Sequence, residues 1–434
     1  MPKMSEELIA KRKQHFLPTA SLYHKYPIQL VRAKGEYVWD NSGRQYLDGI
    51  GGIVCISAGH NHPLIKKALI EMMENDHIQH TSLLYLSAPV VELAEKLLQE
   101  VPPEIDRCSF TNSGSEANEL AFLMARQATG ETTILHLSHS YHGGTSAALS
   151  VCGHHTWRFR AQPVPNVITA EAPYCYRCPF KQKPESCSLE CAKHVESTIQ
   201  TSSHGKIAAM ICEPVMGVGG FITPPDAYFS EVTRIVHNHG GKYISDEVQT
   251  GAGRCGKDFL LSKTLKIDAD IITMAKGLGN GAPIGGLLCK SDVASSMAGK
   301  FYFNTFGGDP FPVVQARLTL EIIAREKLVE NADEQGSYLI QNLRALMKKH
   351  SLIGDVRGRG LLIGVELVKD PKTKTHATEE CARLMDLCKD KGLLLGKGGL
   401  FGNVLRIAPP LSMNRKQIDE IIKIIDESLY EVAR

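Results

Sequence analysis

Lys276 stands two residues past the apolar run Ile271–Met274. It lies in MAKGLGNGAPIGG (274–286), where Gly277, Gly279, Gly281, Gly285 and Gly286 strip side chains from its surroundings. Lysine is among the residues least often buried, so a lysine where the chain leaves a core asks for a chemical reason. In a low-dielectric cleft its pKa falls and the amine becomes neutral and nucleophilic; on an open glycine loop it is a solvated cation. SDEVQTG (245–251) closes another apolar run with two adjacent acids, Asp246 and Glu247. Side chains alternate along a strand, so one acid points toward a site and the other away. A buried carboxylate needs a cation, which makes a structural salt bridge the plainer reading. TNSGSEAN (111–118) adds Ser113, Gly114 and Ser115 where a strand turns into a helix. Free N–H groups and the helix dipole there suit a phosphate, and the same residues also read as a capping box.

Each motif alone has an ordinary explanation. A phosphate cradle, an acid and an amine on three strand ends together match pyridoxal 5′-phosphate (PLP). That cofactor needs a lysine for its Schiff base, an acid that keeps its ring nitrogen protonated, and a site for a dianion.

The elements that must carry these residues follow from the hydrophobic pattern. From about residue 107, short apolar runs alternate with helical spacing. Candidate strands are 107–112, 133–137, 206–214, 242–247, 269–274 and 285–289, with helices over 116–128 and 226–239. Such alternation predicts an α/β fold built on a mostly parallel sheet covered on both faces, with ligands at the carboxyl ends of the strands. Before it, 29–48 read as short antiparallel strands turning at Asn41-Ser42-Gly43, Cys55–Pro63 as a loop, and 64–75 and 88–100 as helices. A long helical pattern over 312–350 leads to a second, smaller unit with strands near 361–368 and 403–407 and a closing helix near 415–432.

With 434 residues the chain can bury a large core, and two domains are expected. Charged residues make up 22% and the net charge is +2, so nothing favours nucleic acid or an anionic membrane as partner. No apolar run approaches the roughly 18 residues of a membrane span. The N-terminal stretch MPKMSEELIAKRKQHF lacks a secretory apolar core and carries two glutamates, so a cytoplasmic location is expected. Twelve cysteines scattered through a long chain suggest reduced thiols. Four of them, Cys175, Cys178, Cys187 and Cys191, form Cys-x2-Cys…Cys-x3-Cys inside the irregular stretch 173–191, which reads as a surface insertion. That spacing can hold structural Zn²⁺; free thiols or a disulfide are the other readings.

In ordered motifs the chain resembles the class III PLP-dependent aminotransferases, from about residue 25 to the C-terminus. GHNHP (59–63), NSGSEAN (112–118), YHG (141–143), EPVMGVGG (213–220), DEVQTGAGR (246–254), MAKGLGNGAPIGG (274–286), FNTFGGDP (303–310), VRGRGLLIGVEL (356–367) and LRIAPPL (405–411) carry the likeness. The resemblance implies a fold type I architecture: a large domain with a mostly parallel seven-stranded sheet and a smaller α+β domain built from both chain ends. Its expected division is 1–60 (small domain), 61–310 (PLP-binding domain) and 311–434 (small domain). It does not demand a metal.

Residue by residue, the likeness makes Lys276 the covalent anchor and proton shuttle, and Asp246 the partner of the ring nitrogen. Gln249 is placed at the ring's phenolic oxygen, with Ser113, Gly114 and Ser115 at the phosphate. Tyr141 stacks on the ring with His142 beside it, and Val248 packs on the opposite face. Thr305 is expected to reach the phosphate of the neighbouring subunit, hence a homodimer. Arg406 takes the substrate's α-carboxylate, and Glu213 is a switch that pairs with or releases that arginine. Within the family, PYCYRCPF and VRGRGLLIGVELV are most like the alanine–glyoxylate aminotransferase 2 group. That implies alanine or a β- or ω-amino acid as donor and glyoxylate or pyruvate as acceptor. A phospho-lyase acting on phosphorylated amino alcohols and a 4-aminobutyrate- or ornithine-type transaminase using 2-oxoglutarate are the alternatives. Three positions depart from the pattern: Ala252 replaces a large aromatic at the site mouth, Asp309 replaces an asparagine, and Lys397 is either a second anion contact or a solvated lysine.

Overall fold

A computed structural model describes residues 3–19, 21–160 and 164–432. Seven strands form the central sheet: β1 (Ile105–Thr111), β2 (Ile134–Leu137), β3 (Val167–Ala170), β4 (Ala209–Cys212), β5 (Lys242–Asp246), β6 (Ile271–Met274) and β7 (Gly285–Lys290). Their spatial order is β1-β7-β6-β5-β4-β2-β3. Pairing is parallel from β3 through β2, β4 and β5 to β6. β7 alone is reversed, antiparallel to both β6 and β1. Strands covered by helices on both faces lose all contact with water, and ILHL, AMIC and IITM are buried at every position. Six of the seven strands match the apolar runs of the sequence. The seventh, β3, is a half-exposed edge whose VITA makes no continuous apolar run.

Helix α1 (Gly114–Thr129) follows β1 with Ser113 as N-cap, its side chain accepting from the Glu116 N–H, and Gly130 closing it at φ 73°. The pattern expected as one helix over 312–350 is two, Pro310–Arg325 and Leu328–Met347. They break at Lys327, whose left-handed φ of 52° no glycine or proline signalled.

The smaller domain draws on both chain ends. Near the N-terminus three strands, Leu30–Lys34, Tyr37–Asp40 and Gln45–Asp48, form a meander that Leu393–Leu394 joins in parallel. A second, antiparallel sheet runs in the order Ile353–Arg359, Leu362–Leu367, Val404–Ile407, Gly396–Gly398. Its first strand, IGDVRGR, hid behind two glycines and three charges. Among the described residues no helix is long and apolar enough to cross a membrane.

The 173–191 stretch is less superficial than its composition suggested. Tyr174 and Cys191 are buried, and all four cysteines are free. Among the described residues no group of three His, Cys, Asp or Glu is placed to hold a metal ion, so the zinc reading finds no support in the geometry.

Candidate active site

A cavity of about 410 Å³ opens where β1, β5 and β6 end, within the range of small-molecule sites. Asp246, the last residue of β5, points into it. Its Oδ2 accepts from Asn118 Nδ2 at 2.9 Å and lies 2.7 Å from His142 Nδ1, while its Oδ1 accepts from the Val248 N–H at 3.1 Å. Asn118 is itself oriented by Thr273 of β6, whose hydroxyl donates to Asn118 Oδ1 at 2.7 Å. Glu247 points the other way, as alternation requires. Its carboxylate accepts from Thr250 Oγ1 and from the Ser262 N–H, both at 2.5 Å, and burial raises its pKa. The expected Lys or Arg salt bridge is absent at both acids among the described residues. Histidine, amide and hydroxyl donors replace it.

Lys276 opens a short 3₁₀ turn directly after β6, with a left-handed φ of 45°. Few side chains tolerate that conformation, and such strain gathers at functional sites. The half-buried lysine faces the cavity. Burial lowers its amine pKa, and the negative charge of Asp246 is the strongest influence opposing the fall. So burial and the acid of β5 act on the same amine in opposite directions.

The helix cap is present, and the turn ahead of it leaves backbone donors free of the helix. Ser113 caps α1, and the first intrahelical bond runs from the Ala117 N–H to the Ser113 carbonyl, so Gly114 and Ser115 present their N–H groups ahead of it. Ser115 Oγ accepts from the Gly144 N–H at 3.0 Å. A Cβ on Gly114 would lie 2.8 Å from Val248 Cγ2, so only glycine lets helix and valine close on each other.

Tyr141 and Gln249 complete the lining, and Tyr141 packs against Trp157 with ring centroids 4.8 Å apart. Glu213 is buried. Its Oε1 accepts from the Tyr141 N–H at 3.0 Å and its Oε2 from the Gly217 N–H at 2.8 Å. Burial pushes its pKa up to about 7, with His142 the largest opposing influence.

Two predicted residues stand apart. Arg406, buried on the strand Val404–Ile407, does not line the cavity; its Nε donates to the Lys397 carbonyl at 3.0 Å and its Nη1 approaches the Gly217 carbonyl at 3.5 Å. Among the described residues no ion pair joins it to Glu213. The two meet through Gly217 instead, one on its N–H and the other on its carbonyl. Thr305 is exposed and lies outside this chain's cavity, next to Asn304, which bonds Asn112 and Glu116 at the start of α1. Lys397 is exposed, as the solvated reading had it. Ala252 is buried at φ 57° and does not line the cavity. Asp309 bonds His80 Nδ1 at 2.5 Å.

Sequence reasoning passed over Asn118, Cys55 and Trp157. Asn118 was legible, since it stands four residues after Gly114 and shares its helix face. Cys55 caps the short turn Gly51–Val54 and Trp157 ends the 3₁₀ turn His155–Trp157, elements too short to carry a periodic signal.

The residues fit PLP on an observation independent of any likeness. Gln249 Oε1 and His142 Nε2 are buried at the cavity with no hydrogen-bond partner, beside an anion cradle, an acid and an amine. A family profile, "Aminotransferase class-III", matches residues 19–429. The chain belongs to the class III aminotransferases. It is therefore a PLP-dependent transaminase of fold type I. It is 39% identical over 99% of its length to "Alanine–glyoxylate aminotransferase 2 homolog 2, mitochondrial" of Arabidopsis thaliana, covering 88% of that protein. It is 35% identical over 99% of its length to a leucine/methionine racemase of Thermococcus litoralis, covering 96% of it. Among solved structures, a thermostable (S)-enantioselective omega-transaminase from Thermomicrobium roseum superposes with a TM-score of 0.90 at 32% identity, covering 99% of both chains.

Proposed function

We propose that this aminotransferase moves an amino group from alanine or a β- or ω-amino acid to a 2-oxo acid such as glyoxylate or pyruvate, in two half-reactions. The observation that carries the reading is Lys276, its amine pKa lowered by burial, in one cavity with an Asp246 anchored by Asn118 and His142. Bound PLP supplies an electron sink for a C–H bond beside the substrate nitrogen. The chain's own residues do the rest. Asp246 would stabilise a proton on the ring nitrogen, and Gln249, whose amide oxygen has no partner, would take the ring's hydroxyl. Gly114, Ser115 and the capped start of α1 hold the phosphate. Tyr141 and Val248, which both line the cavity, would pack against the ring. Lys276 would hold the cofactor and, once displaced by the incoming amine, would be the group placed to move a proton.

Arg406 is the substrate's carboxylate partner, because a guanidinium fixes both charge and orientation of a carboxylate. Glu213 tunes that partner through Gly217. The choice of alanine and glyoxylate is supported by the name of the Arabidopsis relative and by the 173–191 motif. A homodimer is proposed on exposed apolar side chains at Leu84, Tyr85, Leu86, Phe301 and Phe306. His80 joins these two segments by packing on Phe306 and bonding Asp309. Thr305 lies in this patch and serves the partner's phosphate site. Twelve unpaired thiols suit a reducing compartment, and on that ground a cytoplasmic location is proposed, tested by fractionation.

The deciding experiment is a donor–acceptor matrix on the purified enzyme. It sets alanine, β-alanine, 4-aminobutyrate and ornithine against glyoxylate, pyruvate and 2-oxoglutarate. Fastest turnover with alanine or β-alanine and glyoxylate or pyruvate is expected. Phosphate release from phosphoethanolamine without oxo-acid formation would overturn the proposal.

A further inference from the structure

Glu366, on the strand Leu362–Leu367, is 1% exposed and gathers donors from three directions. Arg177 Nε reaches its Oε1 at 2.5 Å, Arg357 Nη1 its Oε2 at 2.7 Å, and the Tyr174 hydroxyl also donates to Oε2. Tyr174 and Arg177 belong to the cysteine-rich stretch, so that stretch is tied by its first residues into the interior of the smaller domain. Arg177 further donates to the Lys374 carbonyl at 2.7 Å, and Asp355 binds Arg357 Nη1 at 2.8 Å.

The far side of Arg357 holds something else. Its Nε and Nη2 both donate to the Gly220 carbonyl, at 3.1 and 2.8 Å. Gly220 ends the tight turn Gly217–Gly220, closed by its N–H on the Gly217 carbonyl at 3.2 Å. It has φ 98°, and a Cβ there would sit 2.9 Å from Val404 Cγ2, so the turn has no slack on that side. Gly217 is the residue that Glu213 and Arg406 share. A continuous path therefore runs from the insertion, through one buried carboxylate and one buried guanidinium, to the peptide shared by Arg406, proposed to recognise the substrate carboxylate, and by Glu213, proposed to tune it.

We propose that Arg357 is a positioning residue for substrate carboxylate recognition, and that Tyr174 and Arg177 of the insertion brace it through Glu366. The role of the insertion is thus to hold the Gly217–Gly220 turn in register with Arg406. This rests on the proposed role of Arg406. Losing the brace lets the turn shift, and the carboxylate site loses geometry while the lysine–aspartate machinery at β5 and β6 keeps its own supports.

The test uses the PLP-loaded enzyme and two readouts: the dissociation constant of propanoate by calorimetry, and the KM and kcat for alanine. Tyr174→Phe removes one hydroxyl and Arg177→Gln one charge, so both are mild enough to fold where Arg357→Gln fails to. Both are expected to raise the propanoate constant and the alanine KM about tenfold, matching the loss of one buried charge-assisted bond. Turnover at saturating alanine should change less than about twofold, as removal of uniform binding does. A lowered melting temperature with an unchanged propanoate constant and KM would overturn the proposal, since it marks a merely structural bond. Arg406→Gln separates the two readings. If that variant also leaves the propanoate constant unchanged, the Arg406 assignment fails; if it alone raises the constant, only the brace fails.

Discussion

Asn118 and Asp246 meet at 2.9 Å between the first turns of a helix and the end of a strand, although 128 residues separate them. The amide holds the carboxylate in place, with His142 on the same oxygen. Asp246→Asn should lower kcat by about 10²–10³, the usual cost of losing a preorganised charge at a reacting centre. Asn118→Ala should cost about tenfold, in keeping with one lost bond to a buried charged group. Steady-state kinetics with alanine measure both, and an Asp246→Asn enzyme with unaltered kcat would remove the acid from the mechanism.

Lys276→Ala should reduce turnover by about 10²–10⁴, the share of a positioned proton-transfer group. That lysine faces the cavity and not the core, so the melting temperature should stay close to that of the parent. Turnover and thermal unfolding, measured together, separate lost chemistry from lost fold.

Glu213 makes stability depend on pH in an unusual sense. Its folded pKa, about 7, lies above the ordinary 4.5, so folding favours the protonated form. That contribution is complete below about 4.5 and disappears as pH rises through about 7. Glu213→Gln stays neutral throughout. Variant minus wild-type stability should therefore rise across this window by up to roughly 3 kcal/mol. Urea unfolding at both ends of the window checks it, and a flat difference would show that the carboxyl is charged in the fold.

Arg254 is 1% exposed and donates to the carbonyls of Ile56, Leu361 and Pro409, with no carboxylate bonded to it among the described residues. Burial brings its pKa down to about 10. One side chain thus joins the Cys55–Pro63 loop, the smaller domain and the loop after Arg406. Arg254→Met should destabilise the protein by roughly 3 kcal/mol or more, because several buried acceptors lose their donor at once. Chemical denaturation gives the number, and a loss below about 1 kcal/mol would mean that water replaces the guanidinium.

Leu86 is fully exposed beside Leu84 and Tyr85. If this patch joins two copies, Leu86→Glu should shift the protein toward monomer in sedimentation and reduce activity with it, since Thr305 is proposed to serve the neighbouring site. A monomeric parent enzyme would overturn the shared-site arrangement.

Lys276, Asp246 and the Gly114–Ser115 turn were legible in sequence because each closes an apolar run, and chemistry collects at the carboxyl ends of buried strands. The six strands with apolar runs share that signal. β3 lacked it as an exposed edge, and the Lys327 break lacked it because a lysine, not a glycine, takes the left-handed turn. Expected partners were less reliable than expected residues. An acid in a sequence asks for a cation, but the fold answered with Asn118, His142 and Thr250, which no spacing rule pairs with acids so far away.

The primary sequence determined which groups are present: an amine, an acid, a glycine–serine turn at a helix start and a guanidinium, each in or beside an element that its own periodicity specifies. Tertiary structure alone decided which of them share a cavity and what stands between the others. Arg406 and Glu213 illustrate the difference: 193 residues apart in sequence, they touch one glycine from opposite sides rather than each other. Periodicity is a local property of the chain, whereas that arrangement depends on where a strand of the smaller domain crosses a turn of the larger one.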